Sequence, residues 1–320
     1  MTTDMLPTDQ DVVVIGGGAA GLSGALMLGR SRRSVTVIDA GSPRNAPADG
    51  IHGLLAYDGM PPAEYLRLGT ENVRRYGGAV VAGEVSAVTR DETGFAVTLA
   101  DGRSTHARRI LLTTGLVDEL PDIAGLAERW GRDVVHCPYC HGWEVRDRDI
   151  AVLATGPMAF HSAVLWRQLS DRITLLRNGI DFSAEQLAQL AARGVRIVEG
   201  RVQSVVTADD AITGVALVDG QVVPCEVIAA GTHMVARGGV VESLGLSAVE
   251  HPSGMGVHVP ADAMGRTEVP GVWAAGNVTD LSAQVGAAAA AGAMAGAQIN
   301  AELAMQETAE ATAGSADSVA

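Results

Sequence analysis

Two cysteines lie two residues apart in the stretch HCPYCHGWE, residues 136–144, with a histidine on either side. Cys137 and Cys140 at this spacing can close a small disulfide, hold a metal ion, or exchange electrons as a reversible dithiol. The last task needs thiolate. A free thiol with a pKa of about 8.5 is only a few per cent ionised at neutral pH, so a nearby base is required. His141, next to Cys140, titrates in the useful range and is the first candidate for proton transfer; His136 is the second. A zinc site would take both cysteines, one flanking histidine, and Cys225 or another histidine as fourth ligand. The chain has no second CxxC and no HxxxH to complete such a knuckle. Cys225, in QVVPCEVIAAG, reads as a small buried hydrophobe on a strand. Tyr139 and Trp143, beside the cysteines, suit either a substrate pocket or simple packing.

A reactive pair needs a scaffold, and the opening of the chain supplies one. In DVVVIGGGAAGLSGALMLGRSRRSVTVIDAG, Val12 to Ile15 reads as a buried parallel strand. Gly16, Gly18 and Gly21 form GxGxxG, a helix follows through Leu28, and a second strand, Val35 to Ile38, ends at Asp39. The order strand, glycine turn, helix, strand and acid is that of a dinucleotide-binding unit. The glycines give a tight turn, room for a pyrophosphate, and close helix–strand packing. The helix N–H groups face the phosphates and Asp39 the ribose. Beyond Gly41 a Pro-, Gly- and Asp-rich loop contains Arg44, Asn45 and His52, candidates for further ligand contacts. A helix is expected over Ala63 to Tyr76, followed by short alternating strands in a mostly antiparallel style.

The opening plan repeats after the cysteines: strand Ile150 to Ala154, turn, helix, strand Ile173 to Leu176. This second turn is degraded, with Ala154, Gly156 and Ala159 where GxGxxA is expected, and Arg177-Asn178 closes the next strand with neither an acid nor an arginine cluster. Late in the chain, VPGVWAAGNVTD reads as strand and turn, and LSAQVGAAAAAGAMAGAQINAEL as a long, tightly packed small-residue helix. Residues 305–320 are polar and expected to fray.

The totals narrow the function. The 320 residues are 47% apolar and 19% charged, enough for two cores, and the net charge of −14 repels nucleic acid and anionic membranes. All 23 cationic residues are Arg, which excludes a Schiff-base lysine. The polar, acidic N-terminus is no signal peptide, and no apolar run spans a bilayer, so a cytoplasmic protein is expected.

Four motifs in order, GGGAAG, LLTTG, CPYC and GVWAAGNVTD, make the chain resemble the thioredoxin reductase family of flavoproteins from Asp11 to about Leu303. That resemblance implies an α/β fold of two Rossmann-like domains. The FAD-binding domain would be split, 1–115 and 235–320, around an NAD(P)H-like domain, 116–234, that carries the CxxC. It implies FAD as cofactor, Val85 beside the adenine, Asn277, Gln284 and Val285 beside the flavin, and a homodimer. Asn277 stands where the family usually has Asp, and Ala283-Gln284-Val285 where it has Arg-Gln-Ala. With His141 after the second cysteine, HCPYCHGWE is most similar to the dithiol oxidases of gliotoxin and holomycin biosynthesis. Those flavoenzymes close a disulfide in a small-molecule dithiol and pass the electrons to O2, giving H2O2. In that scheme Cys137 meets the substrate and Cys140 faces the flavin. The degraded second turn agrees with an acceptor other than NADPH. Two alternatives remain: a thioredoxin-disulfide reductase fed by NAD(P)H or ferredoxin, and a flavin redox sensor without turnover.

Overall fold

The computed structural model describes residues 4–237 and 239–317. It divides into two compact units. One holds the chain up to Ala46, Pro62–Val117 and everything from Met234; the other holds Pro47–Pro61 and Asp118–His233. The segment Pro47–Pro61, which the sequence groups with the chain ends, thus clusters with the inserted unit.

In the first unit β1 (Asp9–Ile15), α1 (Ala19–Arg30), β2 (Val35–Asp39), α2 (Pro62–Arg75) and β3 (Ala79–Ala82) alternate. They are followed by β4 (Val85–Arg90), β5 (Phe95–Leu99), β6 (Ser104–Leu112) and β7 (Leu116–Glu119). The sheet runs β3-β2-β1-β6-β5-β4. Contrary to the antiparallel expectation, β3 pairs in parallel with β2, because the α2 crossover returns the chain in the same direction. Antiparallel pairing is confined to β4, β5 and the first half of β6. The second half of β6 runs parallel to β1, so this strand belongs to both patterns.

The inserted unit contains β8 (Val134–Val135), α3 (Pro138–His141), β9 (Ile150–Leu153), α4 (Ala159–Trp166), β10 (Ile173–Leu176), α5 (Ala184–Ala192) and β11 (Arg196–Val198). Then come β12 (Val202–Ala208), β13 (Ala211–Leu217), β14 (Val222–Pro224) and β15 (Val227–Ala230). Five parallel strands line up as β11-β10-β9-β15-β8, and β12-β13-β14 form a separate antiparallel meander. A buried ion pair ties the meander to the sheet. Asp133, just before β8, accepts from Arg129 Nε at 2.7 Å and from the Ile212 N–H at 3.0 Å.

The chain then passes through β16 (His233–Ala236), β17 (Val249–Glu250), β18 (Gly256–His258), β19 (Val272–Ala274) and α6 (Val285–Asp317). β19 inserts beside β6, in parallel with Ile110–Leu112. Helix α6 lies against α1 through bare backbone: a Cβ at Gly292 would sit 1.9 Å from Ala20 O, and one at Gly296 2.6 Å from Gly24 O. The stretch expected to fray is helical to Asp317; residues 318–320 lie outside the described residues. Two contacts from β6 hold it: Arg108 pairs with Glu307 at 2.7 Å, and Arg109 Nη2 donates to Gln306 Oε1 at 2.7 Å. Among the described residues no helix is long and apolar enough to cross a membrane.

Candidate functional site

The first unit builds a cradle at the carboxyl ends of β1, β2 and β6. Gly16 turns the chain with φ +107°, and a side chain there would strike Thr113 O at 2.4 Å. Gly21 presses the first turn of α1 onto that turn, since its Cβ would fall 1.9 Å from Gly16 O. Gly18 differs. It caps α1 in extended geometry, and a Cβ there would meet nothing within 4 Å. The first N–H groups of a helix have no intrahelical partner, and α1 has no side-chain cap and no acid in its first turn. Asp39, at the end of β2, accepts from the Gly17 N–H at 2.9 Å through one carboxylate oxygen, which fixes the other relative to the glycine turn. Thr114, whose N–H lies beside Gly16, has a buried hydroxyl with no partner. A tight glycine turn, a bare helix N-terminus, an oriented acid and an orphaned hydroxyl together fit a dinucleotide cofactor.

The remaining cofactor candidates are distributed as follows. Arg44 and Asn45 sit partly buried in the loop after β2, where Arg44 Nη2 lies 3.5 Å from the Met234 sulfur. Val85 opens β4 opposite Leu99 and packs on the core. Asn277 follows Gly276, whose Cβ would lie 2.8 Å from that of Ala20, so this turn abuts the start of α1. The Asn277 amide donates to the carbonyls of Asp280 at 3.0 Å and Ala283 at 2.9 Å. An ionised aspartate would have no proton to donate there. Gln284 is exposed and its carbonyl accepts from the Ala288 N–H at 2.9 Å; Val285 begins α6. His52 lies in the Pro47–Pro61 segment, which clusters with the inserted unit.

In the inserted unit the edge strand β8 delivers His136 and Cys137 from its carboxyl end. Cys137 caps α3, Pro138 fills the first helical position, and Cys140 and His141 return N–H bonds to Cys137 O. This single turn brings the cysteine Cα atoms to 5.2 Å, and the pair is disulfide-bonded. Gly142 lets the turn close: its Cβ would lie 2.2 Å from both Leu169 and Pro138 O. His136 Nδ1 lies 3.1 Å from Ala230 O, at the end of the neighbouring strand β15. Both ring nitrogens of His141 are buried without a partner. Burial pushes its pKa below the ordinary imidazole value; Glu144 and Asp49 oppose this, and His52 and His136 reinforce it. His52 reaches the cluster from the Pro47–Pro61 loop, with Nε2 3.5 Å from Glu144 Oε1 and Nδ1 3.7 Å from Asp58. Glu144, Asp49 and Gly142 were missed from the sequence; of these only the glycine after CxxCH left a signal there. Tyr139 and Trp143 are both 66% exposed, and Arg146 stacks on the Trp143 ring at 4.1 Å.

Cys225 is buried, its thiol pushed up to about 12 by burial and nearby acids, so it takes no part in thiolate chemistry. Among the described residues no group of three His, Cys, Asp or Glu is arranged to hold a metal ion.

The second nucleotide turn offers no comparable cradle. Pro157 has no N–H, and those of Ala159 and Phe160 donate back to Gly156 O and Pro157 O at 3.1 and 3.4 Å. Arg177 is paired with Glu199 at 2.6 Å and Asp181 at 3.2 Å. Asn178 spans from Ala154 O to the Val202 N–H.

A dinucleotide-type cradle and a separate parallel-sheet unit bearing a disulfide define a class, and comparison with known proteins agrees. The chain belongs to the pyridine nucleotide-disulphide oxidoreductase family, whose model matches residues 10–296. Within it, the chain is of the thioredoxin reductase-like type, a group that typically binds FAD. It is 34% identical over 281 residues to thioredoxin reductase tcpT of Claviceps purpurea (strain 20.1), covering 83% of this chain and 86% of that protein. The crystal structure of HlmI superposes over 100% of both chains, with 40% identity and a TM-score of 0.91. An oxidoreductase from Agrobacterium tumefaciens matches at 37% identity and a TM-score of 0.87, over 93% of this chain and 99% of that one.

Proposed function

We propose that the protein is an FAD-dependent dithiol oxidase. It closes an intramolecular disulfide in a small-molecule dithiol of the gliotoxin or holomycin type and passes the electrons to oxygen, giving hydrogen peroxide. One observation carries the reading: a disulfide in a single, partly buried turn, beside an imidazole whose two nitrogens have no protein partner. The closed second nucleotide turn and the likeness of HCPYCHGWE to the dithiol oxidases support it.

The chemistry is thiol–disulfide exchange. A substrate thiolate attacks Cys137 sulfur, the Cys137–Cys140 bond breaks, and Cys140 leaves as thiolate. The second substrate thiol, deprotonated, attacks the substrate sulfur of the mixed disulfide. The cyclic product leaves, and Cys137 remains as thiolate. The substrate has lost two electrons and two protons; the enzyme pair has gained the electrons. His141, kept neutral by burial, accepts a proton from the substrate thiol. His136 and the His52–Glu144 pair are the groups through which that proton moves on. Gly16, Gly18, Gly21, Asp39 and Thr114 would hold FAD, which supplies the two-electron relay from the reduced pair to oxygen.

The test is oxygen consumption with a panel of small dithiols, comparing wild type with Cys140→Ser. Wild type is expected to yield one peroxide per disulfide formed, and the variant none. The competing reading, a thioredoxin-type reductase, draws on the name of the Claviceps relative. Rapid bleaching of the flavin by NADPH without oxygen, or no turnover with any dithiol, would refute the oxidase.

A further inference from the structure

The first unit contains a cation that the glycine motif does not announce. Arg237, just after β16, donates its backbone N–H to Gly115 O at 3.3 Å and its Nη2 to Ser42 O at 2.7 Å. It therefore joins the chain leaving β6 to the loop leaving β2, the two strand ends that border the glycine turn. Its Nε is buried and has no partner. One residue before Gly115, the Thr114 hydroxyl is buried and equally without a partner, and the Thr114 N–H lies beside Gly16. Two orphaned polar groups thus lie on neighbouring segments around one cradle. Desolvated donors of this kind are rare in folded proteins unless a ligand satisfies them. An acceptor-rich anion would satisfy a guanidinium N–H and a hydroxyl together, and a planar guanidinium suits phosphate oxygens.

We propose that Arg237 is a cofactor-anchoring residue that donates to the pyrophosphate of the bound dinucleotide, with Thr114 as its hydroxyl companion. This rests on the FAD reading above. The readout is FAD affinity of the deflavinated protein, together with its own stability, for wild type, Arg237→Gln and Arg237→Lys. Arg237→Gln is expected to weaken FAD by at least about tenfold, since a charge-assisted hydrogen bond is lost. Arg237→Lys should recover part of that, and the melting temperature without flavin should stay within about 2 °C. ADP, which carries the pyrophosphate without the isoalloxazine, should show the same loss. Wild-type affinity for FAD in Arg237→Gln overturns the assignment. So does a fall in flavin-free stability as large as that of the loaded protein, which makes the residue a strap for the Ser42 loop. A loss seen with FAD and not with ADP overturns the placement on the pyrophosphate. A wild-type protein that takes up no FAD sinks the cofactor reading itself, and this one with it.

Discussion

Gly18 and Gly21 lie three residues apart in one motif, yet alanine should act on them in opposite ways. At Gly18 the backbone is extended, and a methyl would meet no protein atom within 4 Å. The folding cost is then only that of alanine at a helix N-cap, about 1 kcal/mol. With FAD in the cradle, the same methyl would stand where phosphate oxygens approach the helix N–H groups. Pushing them back by about 1 Å breaks two charge-assisted hydrogen bonds of about 1.5 kcal/mol or more each, so FAD affinity should fall ~100-fold. At Gly21 the added carbon would lie 1.9 Å from Gly16 O. Carbon and oxygen approach to about 3.3 Å at closest, so α1 must retreat by roughly 1.4 Å, an overpacking that costs about 3 kcal/mol. The assay pairs urea unfolding of the deflavinated proteins with FAD titration. Gly18→Ala should unfold nearly as wild type and bind poorly; Gly21→Ala should unfold early. A Gly18→Ala protein that binds FAD normally, or that loses as much stability as Gly21→Ala, would refute the reasoning.

Three further outcomes follow from the same contacts. Asp133→Asn should cost about 3 kcal/mol in urea unfolding, because it breaks a buried pair with Arg129. Burial pushes the Asp133 carboxyl up, but Arg129 and the Ile212 N–H outweigh it and hold it below the usual range. Its contribution is therefore present above about pH 4, and the gap to the variant should close as pH falls through the lowered value. Asn277→Asp, although it restores the family's residue, should destabilise the turn before α6 by about 1–3 kcal/mol, read as faster amide exchange at residues 280–288. Dithiol oxidation should lose rate on the acid side only below the ordinary imidazole pKa, because burial lowers that of His141. In His141→Gln that limb should vanish and the rate should drop by about 100-fold, measured as oxygen uptake against pH.

What the sequence disclosed and what it hid divide along physical lines. The glycine turn was legible because each glycine answers a constraint within a few residues, and Asp39 because strand β2 ends where its parallel partner does. Ile173 to Leu176 was legible down to its ends, being a short apolar run bounded by polar residues. Strand β3 was misread, since four residues of AVVA carry no sign of direction; the crossover α2 decides it. The helical tail beyond 305 was misjudged because its support comes from Arg108 and Arg109 on β6, far away in the chain. The same distance hid Arg237. Strand β8 is only two residues long and leaves no periodic trace, yet it aims the cysteines. The donation of Asn277 to its own turn appears only once the carbonyls of Asp280 and Ala283 are in place.

The contact of Gly292 with Ala20 has a consequence for the order of folding. The opening βαβ segment relies on β19 and α6, which complete its sheet and cover its first helix but lie on the far side of the inserted unit in the chain. In the inserted unit the parallel sheet and the meander all lie within the continuous stretch Asp118–His233 and can close on their own contacts. The first helix is covered only when α6 docks on it, so docking of α6 is a precondition of a finished cofactor cradle.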